Sequence, residues 1–159
     1  MNNKNKQYNV VVDGRVRNVN IPASYALFIK DNKVLLTRRI NTGYQDGKYM
    51  VPSGHVEAGE TFTQALRREI KEEVGIDLTN ADFKVVHIMN RLSGQKVPRV
   101  DVFFKIINWQ GDIINAEPDL CDQVDWFEID NLPDNTVHYL KFAFECIKQK
   151  LFYSEYGWD

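Results

Sequence analysis

The stretch from Thr61 to Gly75 limits what this chain can fold into more than any other segment. Thr61 followed three residues later by Gln64 is a capping box, in which two side chains satisfy backbone N–H groups left free at a helix start. Gly75 supplies the left-handed residue that stops a helix. Between them Phe62, Leu66, Ile70 and Val74 recur at helical spacing, so the segment Phe62 to Val74 is predicted to be a helix with that stripe against a core. Glu73 falls inside the stripe, with Glu69 and Glu72 beside it at i−4 and i−1. Three acids on one flank oppose helix formation, and a buried, unpaired carboxylate is costly enough to be protonated or matched by a cation. On a helical wheel Arg67, Arg68 and Lys71 project from the opposite side, so the positive charge is expected from elsewhere. Mg²⁺ meets that need, because it takes oxygen ligands, keeps several waters and is commonly shared with substrate phosphates.

The other elements follow from turn chemistry and periodicity. Asp13-Gly14 between Tyr8–Val12 and Arg15–Val19 is a two-residue hairpin signal. Ala23 to Ile29 and Val34 to Thr37 read as paired strands around Asp31-Asn32. Phe83 to Ile88 and Val100 to Ile107 are β-branched and aromatic, joined by a loop with Ser93-Gly94 and Pro98. A short strand is expected at Asp125 to Ile129, and a second helix from Thr136 to Lys150 with Leu140, Phe144, Ile147 and Leu151 as core contacts. Strands separated by two helices, without strict βαβ alternation, predict an α/β fold with a mixed sheet and helices packed on it.

Charge and cysteine content exclude several classes. Twenty Lys and Arg against 22 Asp and Glu leave a net charge of −2, which gives no electrostatic footprint for long nucleic acid or an anionic membrane. Cys121 and Cys146 form neither a disulfide framework nor a zinc spacing. Met1 to Gln7 lacks an apolar h-region, and no apolar run reaches the roughly 20 residues of a membrane span, so a cytoplasmic protein is expected. Without repeats or a Pro/Ser-rich linker, residues 1–159 read as one domain with residues 1–7 loose.

Gly54-His55-Val56-Glu57-Ala58-Gly59-Glu60 through Arg68-Glu69-Ile70-Lys71-Glu72-Glu73-Val74-Gly75-Ile76 matches G-x5-E-x7-R-E-U-x-E-E-x-G-U, with U aliphatic, at every defined position. Chance agreement at a given start is on the order of one in a billion. The chain therefore resembles the Nudix (MutT-type) hydrolases. The resemblance implies an α/β/α sandwich with a loop-helix-loop motif, its core at about residues 22–150, and cleavage of a nucleoside diphosphate linked to another group with Mg²⁺ (Mn²⁺ as a substitute). Carried over by position, Glu69, Glu72 and Glu73 would hold the metal with the carbonyl of Gly54, and Glu60 and Arg68 would pair to fix the loop on the helix. Glu69 is favoured as the base. Asp125, directly before Trp126, is a fourth ligand or alternative base unless it is a plain surface residue, and Glu117 competes with it.

In similar proteins the arginine at Arg38 reaches substrate, the alternative being a strand-end charge in water. Arg39 reads more simply as the latter. His55 is expected near the mouth of the site, and His87 as packed or hydrogen-bonded. Asn135 with His138 and Tyr139 could line a base pocket or merely cap and pack a helix; Trp126 could stack on a base or sit in the core. Arg91 and Leu92 stand where relatives cleaving ADP-ribose tend to show proline and those cleaving dinucleoside polyphosphates tyrosine. That mildly disfavours both classes and puts (deoxy)nucleoside triphosphates first, including oxidised ones such as 8-oxo-dGTP, with dihydroneopterin triphosphate as the runner-up and ADP-ribose or a nucleotide sugar as the remaining alternative. The resemblance also allows a homodimer, and a silent domain that only senses nucleotide; the retained acids argue against the latter.

Overall fold

The computed structural model describes residues 9–79 and 81–158. Its elements in chain order are β1 (Asn9–Val12), β2 (Arg15–Asn18), β3 (Ile21–Lys30), β4 (Lys33–Arg39), β5 (Tyr49–Met50), β6 (Ser53–His55), α1 (Phe62–Val74), β7 (Phe83–Leu92), β8 (Pro98–Ile106), β9 (Cys121–Glu128), α2 (His138–Lys148) and β10 (Tyr153–Tyr156). Both turn pairs expected from the sequence form hairpins. Asp13-Gly14 and Asp31-Asn32 take positive φ at both positions, the conformation that matches the twist of the flanking strands. β1 and β2 pair only with each other, and their valines are exposed; Tyr8 lies outside the described residues.

The main sheet runs β10-β7-β8-β3-β4-β5, with β6 paired to β3 and β9 to β4. It is mixed: β3 and β8 are parallel, as are β7 and β10, while β7 and β8 are antiparallel. Alternation along β3 sends Ala23, Tyr25 and Leu27 to one face, under α2, and Ala26 and Phe28 to the other, under α1. Two hydrophobic layers result, one holding Leu140, Ala143 and Phe144 of α2, the other Leu66, Ile70 and Val74 of α1. This is the expected α/β/α sandwich.

Helix α1 begins and ends where its local chemistry predicts. Thr61 accepts from the Gln64 N–H, the Gln64 side chain accepts from the Thr61 N–H, and Gly75 closes the helix at φ 73°. Helix α2 is shorter than expected, and Leu151 lies beyond it and exposed, because the chain turns away to form β10. β10 adds to the sheet edge, and Trp158 behind it donates its indole N–H to the Asn90 carbonyl.

What positions the site is a split in the sheet. β3 and β4 pair only at Ile29↔Val34 and Lys30↔Lys33 and then diverge. β6 takes the place of β4 beside Ala23, Ser24 and Tyr25, while β5 pairs with Thr37 and Arg38 of β4. A cleft of about 670 Å³ opens where the two halves part.

Candidate active site

One end of this cleft is carboxylate-rich. Gly54 in β6 lies so close to Glu69 that a Cβ built on it would overlap the Glu69 carboxylate, so only glycine allows the approach. The Ser53 N–H donates to Glu73 Oε2 at 3.0 Å, the single hydrogen bond recorded for that carboxylate among the described residues. Burial, then the nearby charges of Glu69 and Glu117, pushes the Glu73 pKa well up, with the Ser53 N–H and the charge of Arg39 acting against it. Burial likewise raises Glu69, although Arg68 Nη1 donates to its Oε1 at 2.7 Å. Glu117 enters from the loop before β9, its backbone N–H held by Asn115 Oδ1.

Arg68 is not opposite the acids, as the wheel reading had it. Its Nε and Nη2 fork onto Glu60 at 2.8 and 2.9 Å, Nη2 also donates to the His55 carbonyl at 3.0 Å, and Nη1 reaches Glu69 and Glu72. The reason is that Arg68 precedes Glu72 by four residues, which on a helix makes them neighbours. Its bonds to Glu60 chiefly raise the Arg68 pKa and hold Glu60 down at about 2. Glu72 remains exposed on this arginine, outside the cleft.

Three further expectations are corrected by placement. Asp125 points out to solvent and accepts from the Trp126 N–H; the carboxylate that reaches the cleft is Glu117. Trp126 stacks on Trp109 against the α1 layer, away from the cleft. Asn135 donates to the Gly47 carbonyl and so secures the loop before β5. His138 is exposed at the start of α2, where Val137 takes the cap position without a side-chain bond, while Tyr139 does line the cleft.

Arg38 reaches the cleft but is occupied: a β-bulge in the β4–β9 pairing lets Asp122 meet its Nε and Nη2 at 2.8 and 2.7 Å. Arg39, read as a plain strand-end charge, also lines the cleft, with Nε on the Tyr44 carbonyl and Nη1 beside Met50 Sδ. His55 is at the cleft as expected, and His87 is buried between the Leu151 carbonyl and Ser154 Oγ.

Strands β7 and β8, which contribute Arg91 and Arg99 to the cleft lining, also carry what sequence reasoning missed, Arg99 and Asp101. Asp101 is fully buried and pairs with Arg91 Nε at 2.6 Å; the Arg91 guanidinium lies 3.8 Å from the Tyr139 ring centroid. Arg99 Nε approaches the other Asp101 oxygen at 3.5 Å. The available signal was an aspartate inside the otherwise apolar Val100-Asp101-Val102-Phe103-Phe104.

The NUDIX domain model matches residues 20–145, most of the chain. The chain belongs to the Nudix hydrolase family. An ADP-ribose pyrophosphatase of Methanocaldococcus jannaschii is 35% identical over 125 residues, covering 76% of this chain and 69% of that protein. An NAD-capped RNA hydrolase NudC of Vibrio atlanticus is 28% identical over 128 residues, 76% of this chain, and the chain spans only 44% of that relative's length. Among solved structures, a MutT NUDIX hydrolase from Burkholderia pseudomallei aligns at TM-score 0.71 and 26% identity over 79% of this chain and 96% of that one. With relatives named for capped RNA, net charge does not support excluding long nucleic acid from this Nudix chain. No helix among the described residues is long and apolar enough to cross a membrane.

Does the Nudix site fit a metal? Among the described residues no three His, Cys, Asp or Glu side chains already form a ligand cluster, and Glu72 is turned onto Arg68. Glu69, Glu73, Glu117 and Gly54 do all line the cleft, so the groups that would have to converge on a cation are oxygen donors. Burial raises the pKa of both Glu69 and Glu73, and a hard divalent cation is a partner that would favour their ionised forms.

Proposed function

We propose that this chain is a divalent-metal-dependent pyrophosphohydrolase acting on a nucleoside diphosphate linked to a further group, with Mg²⁺ as the metal and (deoxy)nucleoside triphosphates as the substrate class. The observation that carries the reading is the half-buried pair Glu69 and Glu73 lining the cleft together with Glu117, with Glu69 against Gly54 and Glu73 bonded only by the Ser53 N–H among the described residues. Glu69, Glu73 and the Gly54 carbonyl would hold the metal, and Glu72 would join by leaving Arg68. Such a cation would offset phosphate charge and supply an acidified water as nucleophile.

The chain's own residues divide the remaining tasks. Arg68 keeps the box loop on α1 through Glu60 and orients Glu69. Arg39 is better placed than Arg38 to meet phosphate oxygens, because the Arg38 fork is taken by Asp122. Glu117 is the better proton acceptor than Glu69, since Glu69 is bonded to Arg68 while no side-chain hydrogen bond holds Glu117 among the described residues. Water attack would break the anhydride and release a monophosphate and pyrophosphate.

A second reading has support in the 35%-identical relative named ADP-ribose pyrophosphatase, in which case the products would be AMP and ribose 5-phosphate. Product analysis of dGTP, CTP, ADP-ribose and dihydroneopterin triphosphate with Mg²⁺ separates the two. Pyrophosphate from a triphosphate, abolished by Glu73→Gln, supports the first; turnover of ADP-ribose alone replaces it with the second; no turnover at all leaves a nucleotide-sensing domain.

A further inference from the structure

The wall of the cleft that carries Arg91 and Arg99 is set by the register of β3, β7 and β8. Arg99 lies beside Ile21 and opposite Arg91; Asp101 lies beside Ala23 and opposite Met89. One carboxylate therefore serves two guanidiniums. Arg91, 3% exposed and covered by Tyr139, takes the short bond at 2.6 Å, so the charge of Asp101 is largely matched there. Arg99 approaches Asp101 only at 3.5 Å and turns Nη2 onto His55 Nε2 at 2.7 Å. A guanidinium has no acceptor, so His55 accepts from it and fixes its plane. Arg99 keeps further N–H donors that no hydrogen bond among the described residues uses, and it borders the cleft beside the apolar Ile21, Ala23 and Val97.

We infer that Arg99, oriented by His55, is a specificity-determining residue that reads the edge of a flat bicyclic ring bearing adjacent oxygen and nitrogen acceptors. Guanine presents that edge as O6 and N7, and a 7,8-dihydropterin presents it as O4 and N5. The inference rests on the pyrophosphohydrolase reading for the phosphate end of the same cleft. A planar fork of donors matches two neighbouring acceptors. The apolar and aromatic lining suits a ring face better than a second phosphate, and two guanidiniums sharing one carboxylate leave a single net positive charge, too little for a dianion. Adenine sets its 6-amino donor against the fork, and 8-oxoguanine sets an N7–H against it. Both are disfavoured, so the unoxidised guanine or pterin ring replaces 8-oxo-dGTP as the preferred group.

The test is kcat/KM with Mg²⁺ for dGTP, dATP, 7-deaza-dGTP, 8-oxo-dGTP and dihydroneopterin triphosphate, on the full chain and on Arg99→Gln and Arg99→Lys. The better of dGTP and dihydroneopterin triphosphate is expected to exceed dATP by about 10- to 100-fold, and the N7-altered guanines are expected to fall behind dGTP. Arg99→Gln should bring these ratios close to one, and Arg99→Lys, which keeps the charge without the fork, should restore them only in part. Calorimetric Kd values for the non-hydrolysable α,β-methylene analogues of dGTP and dATP read the same preference without turnover. Discrimination between the analogues that Arg99→Gln removes upholds the inference even if no triphosphate is hydrolysed, in which case the pyrophosphohydrolase reading alone falls. Turnover without base preference, or a preference that survives Arg99→Gln, overturns this inference alone, and failure to bind either analogue together with no turnover of dihydroneopterin triphosphate overturns both.

Discussion

Asp101, fully buried, and Glu73, which lines the cleft, are both carboxylates largely withdrawn from water, yet their surroundings differ in kind. Asp101 is met by two guanidiniums from neighbouring strand positions. Glu73 is met by one backbone N–H and flanked by the like charges of Glu69 and Glu117. Burial alone therefore says little about a carboxylate's purpose; its partners do. A fully paired buried acid holds strands in place, whereas an underpaired one in an accessible cleft leaves an electrostatic demand that a ligand can meet.

The contrast yields opposite mutational signatures. Glu73→Gln is expected to cut kcat/KM for the best triphosphate by about a thousandfold, while leaving Tm level or higher because a poorly compensated charge is removed. Asp101→Asn is expected to do the reverse to stability, lowering it by about 3 kcal/mol in urea unfolding, since Arg91 is left charged and buried. If both substitutions lowered Tm alike, the distinction between the two carboxylates would be lost.

Gly54→Ala sharpens the same comparison. A methyl group there meets the Glu69 carboxylate, the far end of a side chain that can swing away, so a loss of about 100-fold in kcat/KM is expected with a small change in Tm. A smaller effect is expected with pH in the presence of a chelator. Glu69 and Glu73 have folded pKa values raised above the unfolded one, so their stabilising contribution is complete below about pH 4.5 and is lost as pH rises through the raised values. Tm of the metal-free protein should thus fall across that interval, Glu73→Gln should flatten the fall, and Mg²⁺ should offset it most at the alkaline side. Glu60 has the opposite sign. Its pKa is lowered to about 2 by Arg68, so its contribution is present above the unfolded value and disappears as pH falls toward 2, a loss that Glu60→Gln should remove from the acid limb of the Tm profile.

How much of this was legible in the sequence follows from how local each signal is. Helix α1 was readable to its end residues because Thr61, Gln64, Gly75 and the apolar stripe all act within 15 positions. The two hairpins were readable for the same reason. β10 was not: Tyr153–Tyr156 is four residues long and is held by pairing with Ile88–Arg91 far earlier in the chain. The carboxylate-rich part of the cleft was readable through the box spacing, but the wheel misplaced Arg68 because a long side chain reaches well beyond its own angle. Asp125, Trp126 and Asn135 were misjudged because proximity in sequence does not say which side of an edge strand or loop faces the cleft. Arg99 was invisible for a related reason. Its importance lies in sharing Asp101 with Arg91 across an antiparallel register, which no local pattern encodes.

The central claim is that Glu69 and Glu73 together grip a divalent ion in this cleft. Titration with Mn²⁺, followed by the EPR signal of the free ion, tests it most directly on the full chain, Glu69→Gln, Glu73→Gln and Asp125→Asn. The account predicts saturable uptake by the full chain and by Asp125→Asn, weakened by at least about tenfold in either glutamate variant. Equal uptake by Glu73→Gln and the full chain, or a loss confined to Asp125→Asn, would contradict it.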